Sequence, residues 1–155
     1  MVKPIPDGYR TLTPHLIVKD AAGAIAFYKK AFGAQELFSM PSPDGKSIVH
    51  AELQFGDTRL MLCEECAEMG AKSPLTTGGT SGSIFVYVKD VDASFRRAIE
   101  AGARELQPPA DMFWGDRYGR LQDPSGHEWE IATHVKDLTP EEIAKGAAEA
   151  FAAKA

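Results

Sequence analysis

Leu16-Ile-Val-Lys-Asp20 and Val86-Tyr-Val-Lys-Asp90 are the two stretches on which the fold turns. Each is a short apolar run closed by Val-Lys-Asp, and the triplets start at 18 and 88, an offset of 70. Each leads into a helical pattern, the first ending in Ala31-Phe-Gly-Ala-Gln-Glu-Leu37 and the second in Ala101-Gly-Ala-Arg-Glu-Leu106. The Gly-Ala pairs start at 33 and 102, an offset of 69, and Gly56 and Gly126 repeat the offset of 70. Signatures in the same order at nearly constant spacing describe one structural unit written twice.

The unit is legible from local chemistry. Val, Ile, Phe and Tyr in about 14–18 and 84–88 favour strands. Asp20 and Asp90 follow as N-caps, where a carboxylate accepts the free amide hydrogens of a first helical turn. Helices are predicted at about 21–32, with Ile25, Tyr28 and Phe32 on one stripe, and at about 91–101, with Val91, Phe95, Ala98 and Ile99. Gly33 and Gly102 stop them. Strands are then expected at about 35–40, 47–55 and 58–63, and again at 104–107, 118–122 and 127–133. Turns fall at Pro43-Asp44-Gly45, Gly56-Asp57 and Asp123-Pro-Ser-Gly126. The fold class is α+β: two βαβββ modules, each a four-stranded, mostly antiparallel sheet, with helices on one face. We read 1–155 as one domain, with modules at about 10–66 and 82–135. A Gly/Ser/Thr-rich linker covers about 67–81, and a C-terminal helix about 139–152 opens on the capping box Thr139-Pro-Glu-Glu142. The alanine-rich body of that helix packs loosely or against a partner chain.

The chain has 155 residues, 44% hydrophobic and 25% charged, with a net charge of -5. Lys29-Lys30 and Arg96-Arg97 are isolated pairs, so no basic stretch offers a nucleic-acid footprint. No apolar run reaches the roughly 18 residues of a membrane span. No signal-like apolar region follows Met1, and Cys63-Glu-Glu-Cys66 reads as two incidental thiols, so a cytoplasmic protein is expected. No P-loop, nucleophile elbow or dinucleotide fingerprint is present.

Several further segments are Thr13-Pro-His15-Leu, His50-Ala-Glu-Leu53, Phe113-Trp-Gly-Asp-Arg117-Tyr-Gly119, Asp123-Pro-Ser-Gly-His127-Glu-Trp129 and Ala132-Thr-His134-Val-Lys-Asp137. With the doubled βαβββ unit they resemble the vicinal oxygen chelate superfamily (glyoxalase, bleomycin resistance, extradiol dioxygenase), in its PhnB-like branch, over nearly the whole chain. The resemblance implies sheets curved around a ligand cavity, and a homodimer in which both chains wall that cavity.

Metalloenzymes of the superfamily hold a divalent cation with His, Glu or Gln from each first and each last strand. The resemblance maps these positions onto Thr13, Met61, Ser83 and Glu130, of which only Glu130 keeps a good ligand. No cofactor is therefore expected. Two readings of His15, His50 and Glu130 stay open: a shifted metal site, or polar wall residues that bind a ligand or one another. Glu52 shares a strand face with His50. Ser83, Phe85 and Tyr87 fall in the register that faces the cavity in the family. Phe113 to Tyr118 is the densest polar-aromatic stretch. There Trp114 and Arg117 are either a cavity edge suited to an anionic or planar ligand, or a structural loop with Arg117 paired to Asp116 or a nearby acid. His127 and His134 read as exposed or capping, Asp123 as a turn initiator and Trp129 as core.

The expected function is small-molecule binding through His15, His50, Glu52, Phe85, Tyr87, Trp114, Arg117 and Glu130. One alternative is a metal-dependent lyase, isomerase or dioxygenase on the shifted site, with Glu130 the candidate catalytic base. The other is a ligand-free interaction homodimer.

Overall fold

The computed structural model describes residues 2–152. The first unit runs β1 (His15–Val18), α1 (Ala21–Phe32), β2 (Gln35–Pro41), β3 (Ile48–Phe55) and β4 (Thr58–Glu64). After a short α2 (Pro74–Thr77), the second runs β5 (Ser83–Tyr87), α3 (Val91–Glu100), β6 (Arg104–Asp111), β7 (Asp116–Gln122) and β8 (Glu128–His134), and α4 (Pro140–Ala152) closes the described chain. The strand orders are β1-β4-β3-β2 and β5-β8-β7-β6. In each sheet the first strand runs parallel to the last and the other pairings are antiparallel. His15 lies opposite Met61 in one sheet and Phe85 opposite Glu130 in the other, so the two modules share a register.

The caps work as the residue types require. The carboxylates of Asp20 and Asp90 accept from Gly23 N and Ala93 N, each at 2.9 Å. Gly33 ends α1 at φ 68, a conformation that only glycine enters without penalty. The Thr139–Glu142 capping box is reciprocal: Thr139 N donates to the Glu142 carboxylate at 2.8 Å, and Glu142 N to Thr139 Oγ1 at 3.2 Å.

The core lies between the helix-side faces of the sheets. α1 buries Ile25, Phe27 and Tyr28, α3 buries Val91 and Phe95, and the two helices pack on each other. Trp129, 1% exposed, sits where the modules meet, with ring centroids 5.3 Å from Tyr28, 4.9 Å from Phe32 and 5.7 Å from Phe55. Burying such rings is worth about 2–3 kcal/mol each before entropy is charged.

Three segments differ from expectation. β6 runs on through Pro108-Pro109 to Asp111, with register shifts; as an edge strand it can lose amide donors. β7 begins at Asp116, two residues early. The segment 67–81 holds a 3₁₀ turn at Ala67–Met69 and the α2 turn, anchored because the Glu65 carboxylate accepts from Ser73 N at 2.7 Å. The Ser73 hydroxyl, then that of Thr76 and the Ser73 amide, hold the Glu65 carboxyl down to about 2. No helix among the described residues is long and apolar enough to cross a membrane.

Candidate functional site

Alternation along β5 turns Ile84 and Val86 toward the helices and leaves Ser83, Phe85 and Tyr87 on the concave side. Cross-strand pairing then sets Phe85, Glu130 and Arg120 in one row, and Tyr87, Ala132 and Tyr118 in the next. The Phe85 and Tyr118 rings stack at 5.8 Å, Phe85 and Tyr87 lie 5.0 Å apart, and Trp114 meets Tyr118 edge-on at 5.5 Å. Glu130 stands on this platform. Its carboxylate accepts from the Ser83 hydroxyl and, at 2.7 Å, from the Tyr118 phenol. Partial burial opposes its ionisation, but the two hydroxyl donors and the Arg120 charge outweigh it, so its pKa lies below the ordinary value. Burial and the same carboxylate push the Tyr118 phenol well up. Arg120 is itself paired with Glu128 at 2.6 Å.

At the far end of this face the Asp116 carboxylate, 3% exposed, gathers three donors. Tyr87 Oη and Trp114 Nε1 each donate at 3.1 Å, and His134 Nδ1 at 2.8 Å. His134 Nε2 donates to Asp137 at 3.1 Å. A carboxylate on each nitrogen favours the imidazolium, and the Asp116 and Asp137 bonds raise its pKa. Burial, then Asp116, raises that of Tyr87.

Asp116, Tyr118 and His134 were not among the ligand-binding residues expected from sequence. Alternation through 116–122 was the available signal, since it puts Asp116, Tyr118 and Arg120 on the face that Glu130 shares. His134 is more than a capping residue, being oriented by a buried carboxylate. His127 is not a free turn residue either: its Nε2 donates to the Ile17 carbonyl at 2.9 Å.

Trp114 joins the face, whereas Arg117 does not. The odd-numbered position turns it to the other side of β7, where its guanidinium grips Asp92 of α3 through two bonds of 2.7 and 2.8 Å and Asp111 of β6 at 3.0 Å. Its partners are thus Asp92 and Asp111 rather than Asp116, and it ties strand to helix instead of edging a cavity.

His15, His50 and Glu52 stand on the concave face of the first sheet. The histidine rings are 6.4 Å apart, and His50 Nε2 lies 3.4 Å from the Glu52 carboxylate. Arg59 approaches Glu52 at 3.6 Å and lies over the Tyr9 ring at 4.4 Å. The N-terminal segment covers part of this face: Pro4, Ile5, Pro6 and Tyr9 line one hollow with Glu52 and Met61.

The superfamily's metal does not fit the donor set. Thr13 Oγ1 donates to the Arg10 carbonyl, Met61 offers a soft thioether, and Ser83 is spent on Glu130. Thr13 and Met61 belong to the first module, Ser83 and Glu130 to the second. The shifted set of His15, His50 and Glu130 does not assemble within one chain: among the described residues no three His, Cys, Asp or Glu side chains are arranged to hold a metal ion. Cys63 and Cys66 are free thiols, and burial pushes Cys63 up, away from reactivity.

A family model described as Glyoxalase/Bleomycin resistance protein/Dioxygenase superfamily matches residues 10–131. An uncharacterized protein of Mycobacterium bovis is 47% identical over 135 residues, 85% of this chain and 88% of that protein. Among solved structures, TioX of Micromonospora sp. ML1 superposes with a TM-score of 0.63 at 29% identity, over 81% of this chain and 99% of that one. A PhnB protein of Bacillus cereus shares the fold, with a TM-score of 0.61 at 16% identity, over 80% of this chain and 99% of its own.

Proposed function

This chain belongs to the glyoxalase/bleomycin resistance protein/dioxygenase superfamily, and from that premise we propose that it binds a compact cationic ring compound on the concave face of its second module, without a metal ion at the superfamily's four positions. One observation carries the reading: Glu130 is held ionised beside the stacked Phe85 and Tyr118 rings. Aromatic faces and a carboxylate together suit a cation. With Arg117 spent on Asp92 and Asp111, and Arg120 on Glu128, the nearest guanidiniums are already paired. The chain's net charge of -5 works in the same direction at longer range.

A homodimer goes with this reading. The concave faces expose Phe38 (49%), Met40 (45%), Phe85 (43%) and Tyr87 (63%), apolar surface that a second copy would cover while closing the ligand site. The free thiols Cys63 and Cys66 go with a cytoplasmic setting.

The test is a thermal-shift series with matched cationic, neutral and anionic aromatic compounds on untagged protein, beside elemental analysis. Cationic members should stabilise the protein, and Glu130→Gln should remove the effect. A preference for anionic members, or a transition metal retained at one per chain, would overturn it.

A further inference from the structure

We infer that the crevice between the two modules, chiefly on the helix side of both sheets, is a second ligand site that takes a hydrophobic carboxylate. Phe32, Phe55 and Trp129 form its aromatic floor, with centroids 4.9–6.0 Å apart; β5 adds Ile84 and Val86 from its helix-facing side, with Phe85 and Tyr87 at the border with the concave face. Phe32, Phe55, Ile84 and Val86 are partly buried rather than sealed into the core, so their remaining surface faces the opening. The crevice encloses about 650 Å³, within the roughly 300–1,000 Å³ range of small-molecule sites.

Charge at the rim sets the chemistry. Lys89 and Arg97 line the crevice, and neither has a carboxylate partner among the ion pairs of the described residues. Arg97 donates only to the hydroxyl of Ser94 on its own helix, at 3.1 Å. The acids at the same rim are occupied: Asp57 is paired with Arg10 at 3.0 Å, and Asp90 caps α3. An apolar floor below two unpaired cations matches an amphiphile with one carboxylate head. This is the opposite charge preference to the concave face, so the two sites are separable by ligand.

Trp129 is the built-in reporter. The chain has two tryptophans, so Trp114→Phe leaves Trp129 alone, and its emission can be followed while decanoate is added. Isothermal titration of the unmodified chain repeats the measurement without the substitution. The expected result is a saturable change with decanoate and a much weaker one with decylammonium. Lys89→Gln with Arg97→Gln should weaken decanoate about fivefold, the size of a partly exposed ion pair, whereas Phe38→Ala on the concave face of the first module, away from the crevice lining, should not. No saturable binding in either measurement, equal affinity for decylammonium, or an unchanged Kd in the double variant would overturn the site. So would silence towards decanoate while sedimentation reports an intact dimer, since a second copy would then fill the crevice.

Discussion

The phenol of Tyr28 donates a 2.6 Å hydrogen bond to the carboxylate of Asp123, 95 positions further along the chain. It joins the helix of one module to the last turn of the other. Asp123 also accepts from Trp129 Nε1 and from the amides of Ser125 and His127, all at 2.9 Å. All of this lies in the core, where an orphaned carboxylate is costly. Tyr28→Phe should therefore lower stability in urea denaturation by about 1.5–3 kcal/mol, the range for a bond to a charged group. Asp123→Ala should cost more, because four donors lose their acceptor at once. A Tyr28→Phe variant as stable as the parent would mean that the modules are held by apolar packing alone.

The Asp116–His134 pair predicts a pH dependence with a defined sign. Its bonds raise the folded-state pKa of His134 above 6.5. The imidazolium's contribution to stability is then fully present below about 6.5, the unfolded value, and is lost as pH rises through the raised folded value. The melting-temperature difference between the parent and His134→Gln should be largest on the acid side of 6.5 and shrink on the alkaline side. In an NMR titration Asp116→Asn should lower the His134 pKa more than Asp137→Asn, Asp116 being the larger cause. A larger drop from Asp137→Asn would reverse that order.

Arg117 offers a test of which face matters. Its partners Asp92 and Asp111 are more than half exposed, so Arg117→Ala should cost no more than about 1 kcal/mol. Affinity for the cationic ligand should not change. A clear loss of affinity, measured by calorimetry, would put the guanidinium back at the site.

Gly115 precedes β7 at φ 98, and a Cβ there would stand 2.1 Å from the Lys136 carbonyl oxygen. Its own carbonyl accepts from Val135 N and Lys136 N at 3.0 Å. Gly115→Ala combines a left-handed backbone with a clash against main chain and should cost about 2–4 kcal/mol. Hydrogen exchange should accelerate first at Val135 and Lys136. An unchanged exchange pattern would show that the loop can rearrange freely.

The repeat was legible because it rests on local chemistry. Asp20 and Asp90, Gly33 and Gly102, and the turns at Gly56 and Gly126 act within a few residues of themselves, and α1 and α3 begin where those caps lie. Phe85 and Tyr87 were placed on the cavity face by alternation and the register that the resemblance implies, and Glu130 by the resemblance. What one strand's pattern could not carry was the choice of partner. Arg117 stands next to Asp116 in sequence and was paired with it as one alternative, yet neighbours in a strand point to opposite faces, and the guanidinium reached Asp92 and Asp111 instead. His15 and His50 share a face type with Glu130, yet they lie on different sheets. Tyr28 and Trp129 read as core, but their convergence on Asp123 needed the two modules to dock. The sequence by itself thus determined the elements, their order and their doubled register, since caps, turns and alternation are short-range. Only the tertiary structure decided which charges are spent on each other and which remain for a ligand, because a hydrogen bond depends on where distant segments finally meet.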